Sequence, residues 1–240
     1  MKELVNNLLN RLGFPPVHKY PIERLKRRKA IFDHYKIDLL YDIGANIGEY
    51  SMIMRKIGYD KRIVSFEPLS SAFRNLVKVQ SADEHWDAYN FALGDFDGVT
   101  EINISENSVS SSILPVSQLH IDIHERTKVI GKEKVEVRKL DSIFDETYKG
   151  EKNIFLKIDT QEFEKKVLEG GKQTLKTVSG IQMELSIVPL YNENENYIDM
   201  IRYAEDYGFT LSGLEPGFYD KTSGKILQFD GIFTKSLTFV

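Results

Sequence analysis

The sequence predicts an α/β protein: a parallel β-sheet with crossover helices, preceded by a helical arm. Two observations carry this. Short apolar runs alternate with amphipathic helical patterns along most of the 240 residues, and strands so separated pair in parallel. A glycine-bearing turn also follows the first run directly, at the place where such sheets bind ligands. Composition agrees, because 41% apolar and 28% charged residues suit one globular core.

Residues 1–13 place Leu4, Val5, Leu8, Leu9 and Leu12 on one helical stripe. Phe14-Pro15-Pro16 ends it, because a proline ring disfavours helical backbone in the residue before it. A second, basic helix is expected from about Ile22 to His34. The arm is thus residues 1–36 and the main domain residues 37–240. The apolar runs follow: DLLYDIG (38–44), RIVSFE (62–67), WDAYNFA (86–92), NIFLKID (153–159) and GIQMELS (180–186). Between the third and fourth lie VTEINIS (99–105) and KVEVRKL (134–140), whose strict alternation predicts half-exposed strands. The insertion around 105–133 is expected to cover the cleft as a lid. FTLSGL (209–214) and QFDGIFTK (228–235), around Pro216-Gly217, read as a closing antiparallel pair.

The absence of cysteine removes disulfides, thiolate zinc sites and cysteine nucleophiles together. No stretch approaches the roughly 18 uninterrupted apolar residues of a membrane span. The first residues lack the order of a secretory signal, so a cytoplasmic protein is expected. Charge is unevenly spread. Residues 1–30 hold eight Lys/Arg and two Glu, which makes the arm +6 and leaves −10 on the remainder of a chain whose net charge is −4. Such an arm suits a peripheral membrane surface or an anionic glycan. The alternative is a helix packed on the acidic body of the same molecule. It lacks the interleaved aromatics of a nucleic-acid platform, and nucleic acid is not an expected partner.

The strongest local signal is Asp42-Ile-Gly44-Ala-Asn46-Ile-Gly48-Glu49-Tyr50-Ser51. Gly44 and Gly48 permit a tight strand-to-helix turn, and the next helix points free N–H groups into it. This is not G-x-G-x-x-G, since Asn46 takes the middle glycine position, and no Gly-Lys-Ser/Thr follows to make a P-loop. Glu67 ends the second run 19 residues after Gly48 and precedes Pro68; an acid there accepts hydrogen bonds from ribose hydroxyls. Together the two features indicate a nucleoside-containing cofactor. His120 and His124 have the i, i+4 spacing of helical zinc ligands. No H-E-x-x-H accompanies them, they read as surface or lid residues, and no metal site is assigned.

DIGANIGEYS, SFEP (65–68), NFALGD (90–95), Ser110-Ser111-Ser112, KLDS (139–142), LKIDTQEFEKKVLEGG (156–171), ELSIVPLY (184–191) and FDGIF (229–233) occur in the order seen in FkbM-type methyltransferases. The chain resembles that family over about residues 38–235. The resemblance implies a Rossmann-like, seven-stranded, mostly parallel sheet of the class I methyltransferase type, with S-adenosyl-L-methionine as cofactor. It implies that Asp42, Gly44, Asn46, Gly48 and Ser51 hold the methionine end and part of the ribose. Glu67 and Pro68 follow at the ribose, and Asn90, Ala92 and Leu93 border the adenine. Asp159 ends the fourth strand beside the reacting methyl group, as the candidate base. Lys157 stands two residues earlier, and Glu184 at the end of the fifth strand faces the same cleft. Asp159 also reads as a cap of the following helix. Asp159, Glu162 and Glu184 alternatively suit a hard divalent ion. Many relatives have glycine where Glu162 stands, and Tyr191 is a candidate for the acceptor pocket.

The resemblance implies O-methylation, most often of a sugar or natural product, and hence a small-molecule or glycan acceptor such as a polysaccharide, glycolipid or secondary metabolite. A nicotinamide-dependent oxidoreductase using the same turn is the alternative enzyme; Asn46 and the missing third glycine count against it. A non-catalytic, cofactor-binding regulatory module is the alternative without chemistry.

Overall fold

The computed structural model describes residues 22–191 and 195–235. The helix expected over 1–13 and its Phe14-Pro15-Pro16 stop lie outside the described residues. Helix α1 (Ile22–His34) leads into β1 (Leu39–Ile43), α2 (Glu49–Lys56), β2 (Arg62–Phe66), α3 (Ser70–Gln80) and β3 (Trp86–Tyr89). Next come β4 (Ala92–Gly94), β5 (Gly98–Ser105), α4 (Gln118–Ile123), β6 (Val129–Lys139) and α5 (Leu140–Thr147). The rest is β7 (Ile154–Ile158), α6 (Glu164–Glu169), β8 (Val178–Ser186), α7 (Tyr197–Asp206), β9 (Phe209–Pro216) and β10 (Gln228–Lys235).

The main sheet has seven strands in the order β3-β2-β1-β7-β8-β10-β9. The first five run parallel, and β10 is antiparallel to both its neighbours. This is the mostly parallel, seven-stranded sheet that the resemblance implies. Every residue of β1 and β7 is buried, as strands covered by helices on both faces must be. Alternation divides β1 between two cores. Leu39, Tyr41 and Ile43 join Val64, Phe66 and Leu156 on one face, and Leu40 joins Phe32, Met54, Leu76 and Trp86 on the other. Each such large side chain contributes about 1.5–3 kcal/mol on burial. Asp42 shares the face of Leu40, which fixes its fate below.

Two expectations are corrected. WDAYNFA is not one strand: β3 stays in the main sheet, while β4 pairs with β6 in a separate three-stranded sheet, order β4-β6-β5. The break falls at Asn90, whose amide donates to the carbonyls of Glu67 and Pro68 at 2.8 and 3.0 Å and turns the chain. The insertion is also shorter than expected. β6 already begins at Val129 and pairs antiparallel with β5, so residues 106–128 form the covering segment.

Helix α1 docks on the far sheet edge by charge. Arg24, Arg27 and Arg28 approach the carboxylate of Glu215 at 2.8, 3.3 and 2.7 Å, and Glu215 is fully buried on β9. Lys26 pairs with Glu23, and Lys29 with Asp33, along the helix itself. The described part of the basic arm therefore packs on an acid of its own domain. Glu215→Ala should destabilise the fold by about 3 kcal/mol, because truncation leaves the buried Arg28 guanidinium without its carboxylate. Urea unfolding of the variant beside the parent measures this.

Candidate active site

The chain leaves β1 toward β2 on one side of the sheet, and leaves β7 toward β8 on the other. A crevice opens at their carboxyl ends, the ligand site of such sheets. Gly44 sits there at φ 73°, and a Cβ on it would overlap the carbonyl oxygen of Asp159. Glycine is thus required by the crossing of two backbones, before any cofactor is considered. Asn46 is also left-handed, at φ 49°, and its N–H donates to Glu67 Oε2 at 2.8 Å. The N–H of Leu69 donates to Glu67 Oε1 at 2.8 Å. Burial pushes the Glu67 carboxyl up to about 7, against these two backbone donors.

The cleft contains about 670 Å³ of space, part of it open to solvent. Of the expected cofactor residues, Gly44, Asn46, Glu67, Pro68, Ala92, Leu93 and Asp159 line it. The others are not among its lining residues. Asp42 and Ser51 are fully buried, and the Ser51 hydroxyl donates to Asp42 Oδ2 at 2.7 Å. A Cβ on Gly48 would meet Leu76 at 2.8 Å and Trp86 at 2.9 Å, which places that glycine against the core. Asn90 is occupied with the Glu67 and Pro68 carbonyls. Asp42, Ser51 and Gly48 thus shape the turn from behind, and the exposed Asn90 holds the chain that follows β2. Sequence reasoning missed the apolar walls Phe66, Leu69, Ile102 and Phe163, and also Gln161. It expected a cover but assigned none of its residues to the cleft, which Ser108, Ser111 and Ser112 reach. The serine cluster and the DTQE stretch were visible signals for two of these.

Next to Gly44 and Asp159, Lys157 is buried with its ammonium 3.2 Å from Asp42 Oδ1 and 3.5 Å from Asp159 Oδ2. It donates to the Gly44 carbonyl at 3.3 Å. Burial works against this charge, yet Asp42 and Asp159 overcome it and raise its pKa, so Lys157 is a fixed cation. The Asp159 side chain is 42% exposed and does not cap α6, whose N-cap is Phe163. Glu184 is held by amides of Gln161 and Gln228, each at 3.1 Å. Burial, then the charges of Asp159, Glu164 and Asp230, raise its pKa well above the usual carboxylate range.

Glu162 does not join this group. It accepts from Ser186 Oγ at 2.6 Å and from the N–H groups of Leu190 and Tyr191 at 3.1 and 3.0 Å. The alternative metal trio is therefore not assembled, and no group of three metal-ligating side chains gathers among the described residues. Its φ of 70° is a conformation that glycine adopts at no steric cost; here the three hydrogen bonds hold a glutamate in the strained conformation. Tyr191 is 1% exposed and lies beneath the cover instead of lining an acceptor pocket. His120 is buried against Tyr191 and Phe218, and burial lowers its pKa to about 4.

A family model for the methyltransferase FkbM domain matches residues 42–211. The chain belongs to the FkbM methyltransferase family. A search of curated proteins gives no match. Among solved structures, this FkbM protein is similar to TehB from Haemophilus influenzae at 6% identity and a TM-score of 0.52, covering 96% of this chain and 66% of that one. It is also similar to magnesium protoporphyrin IX methyltransferase (ChlM) from Synechocystis PCC 6803 with bound SAM, at 7% identity, 98% and 97% coverage and a TM-score of 0.47. TrmK from M. capricolum in complex with S-adenosyl-homocysteine matches at 8% identity, 91% and 70% coverage and a TM-score of 0.48. At such identities the TehB likeness speaks for the fold. The FkbM protein is an S-adenosylmethionine-dependent methyltransferase, and its donor set suits that cofactor. Glu67 presents a carboxylate among apolar walls fit for a nucleoside, and Asp159 offers negative charge at the other end for a sulfonium. No described helix is long and apolar enough to cross a membrane.

Glu67 generates a pH dependence. Its folded pKa of about 7 exceeds the ordinary value of 4.5, so ionisation costs the free protein stability as pH rises between those values. Ribose hydroxyls donating to Glu67, as the resemblance implies, would favour the carboxylate. S-adenosylmethionine should therefore bind more tightly as pH rises through 7, by roughly tenfold between pH 6 and 8, and Glu67→Gln should flatten the profile. Calorimetric titration across that range checks both.

Proposed function

We propose that this methyltransferase acts on a hydroxyl oxygen of a sugar-containing acceptor, with Asp159 as the base. One observation carries the reading: Asp159 is a partly exposed carboxylate that lines the cleft, fixed by neighbours on both oxygens. The bound cofactor supplies an electrophilic methyl group on sulfur. The chain then has two tasks. It must hold the acceptor oxygen in line, since alignment supplies much of the acceleration in such displacements. It must also take the hydroxyl proton, and Asp159 is within the cleft to accept it. Lys157 sets a positive charge beside that carboxylate and holds it in place. The cover over residues 106–128 brings serine hydroxyls to the same space, which suits a polyhydroxylated acceptor, and the family resemblance points the same way.

The acceptor is found by comparing glycans and glycolipids from cells with and without the protein by mass spectrometry. A component lighter by one methylene in the deficient cells is the expected result. On that acceptor, Asp159→Asn should still bind S-adenosylmethionine, weaker by no more than about fivefold, and lose methyl transfer at saturating cofactor by about 10²–10⁴-fold. Near-normal turnover in the variant would leave alignment as the mechanism, with the proton leaving to water.

A further inference from the structure

The DTQE loop is tied to its cover by a chain of hydrogen bonds that ends on Asp159. The amide nitrogen of Gln161 has two hydrogens, and two carboxylates receive them: Asp159 Oδ1 at 2.9 Å and Glu184 Oε2 at 3.1 Å. Its amide oxygen is fixed in turn, because the Tyr191 hydroxyl lies 2.9 Å from Gln161 Oε1 and 2.9 Å from the carbonyl of Ser110. Ser110 belongs to the covering segment. A second tie runs in parallel, from Ser112 Oγ to the backbone carbonyl of Gln161 at 2.8 Å. Tyr191 and Ser112 are each 1% exposed, so water does not compete for these bonds. Gln161 itself adopts φ 57°, a conformation that costs a non-glycine residue energy and persists where its surroundings determine it.

A glutamine amide could be reversed, presenting oxygen to the carboxylates. Reversal would set that oxygen 2.9 Å from Asp159 Oδ1 and 3.1 Å from Glu184 Oε2, acceptor against acceptor, so the nitrogen faces the carboxylates and the single Tyr191 hydrogen is shared between Gln161 Oε1 and the Ser110 carbonyl. We propose that Gln161 is a positioning residue: it aims the Asp159 carboxylate into the cleft, and it does so only while the cover is seated through Tyr191 and Ser112. The inference rests on the reading of Asp159 as the carboxylate that faces the reacting end of the cofactor. Seating of the cover and orientation of Asp159 then form one interlocked unit.

The test needs no acceptor. S-adenosylmethionine is a sulfonium cation and S-adenosylhomocysteine is neutral, so a carboxylate aimed at sulfur favours the former. Calorimetry with both compounds is run on the parent, Asp159→Asn, Gln161→Leu, Tyr191→Phe and the Gln161→Leu/Tyr191→Phe pair. Hydrogen exchange of residues 108–112 is followed without cofactor. Asp159→Asn should reduce the preference for the cation by roughly fivefold. Gln161→Leu should reproduce most of that loss, with S-adenosylhomocysteine affinity within about twofold of the parent. Tyr191→Phe should give an intermediate loss, and it should add nothing in the Gln161→Leu background, as members of one unit are not additive. Exchange over 108–112 should quicken in both Gln161→Leu and Tyr191→Phe.

Gln161→Leu with the parent's preference, beside an Asp159→Asn that has lost it, overturns the proposal and leaves the reading of Asp159 standing. Asp159→Asn with the parent's preference overturns both. Unchanged exchange in the cover removes the interlock. Gln161→Asn is the control for misfolding, since asparagine tolerates positive φ but is one methylene too short to span both carboxylates; it should behave as Gln161→Leu does.

Discussion

One buried ammonium at the centre of the sheet sets the geometry of everything around it. Lys157 touches Asp42, Asp159 and the Gly44 carbonyl at 3.2, 3.5 and 3.3 Å, and so joins the ends of β1 and β7. Removing a charge from water costs several kcal/mol, and the cost is recovered only with partners kept in place. The turn after β1 and the loop after β7 therefore cannot separate while the fold persists. The same constraint explains Asp42, which meets this cation from behind, and Ser51, which holds Asp42 there. It explains the glycine as well, since two backbones held so closely leave no volume for a side chain.

Charge also travels outward from that point along the sheet. One residue beyond the Ile158–Met183 pair stand Asp159 and Glu184, Glu184 pairs with Asp230, and Asp230 with Glu215. Four carboxylates thus lie in a row across neighbouring strands. Burial and then Asp159 push the Asp230 carboxyl up to about 6, with Arg28 acting the other way. Lys157 closes the row at one end and the arginines of α1 at the other. The basic helix and the site are two ends of one electrostatic arrangement.

The sheet was legible because parallel strands buried on both faces have to be apolar runs, and the helical patterns between them left only crossovers to join them. The turn was legible because Gly44 and Glu67 fall where such folds need them. Asn90 was not, since its role is to hold two carbonyls from another strand, a tertiary fact. Asp42 and Ser51 misled for a related reason: polar residues beside a glycine-bearing turn look like ligand contacts until strand alternation turns Asp42 to the core and the Ser51 hydroxyl on α2 is seen to donate to it. Gln161 was visible as a letter in the DTQE stretch, but its work depends on Tyr191 and Ser110, far apart in the chain. Glu162 was noticed as a departure, and only its three acceptor contacts explain how it is tolerated.

That glutamate has an evolutionary meaning. Two of the four glycine codons differ from a glutamate codon by the central base alone, so this position can pass between the two residues in one mutational step. A glycine would relieve the left-handed backbone and release the 186–191 segment at once; the glutamate accepts the strain and fastens it. The residue chosen at this one position thus sets how tightly the loop bearing Asp159 is fastened to the 186–191 segment.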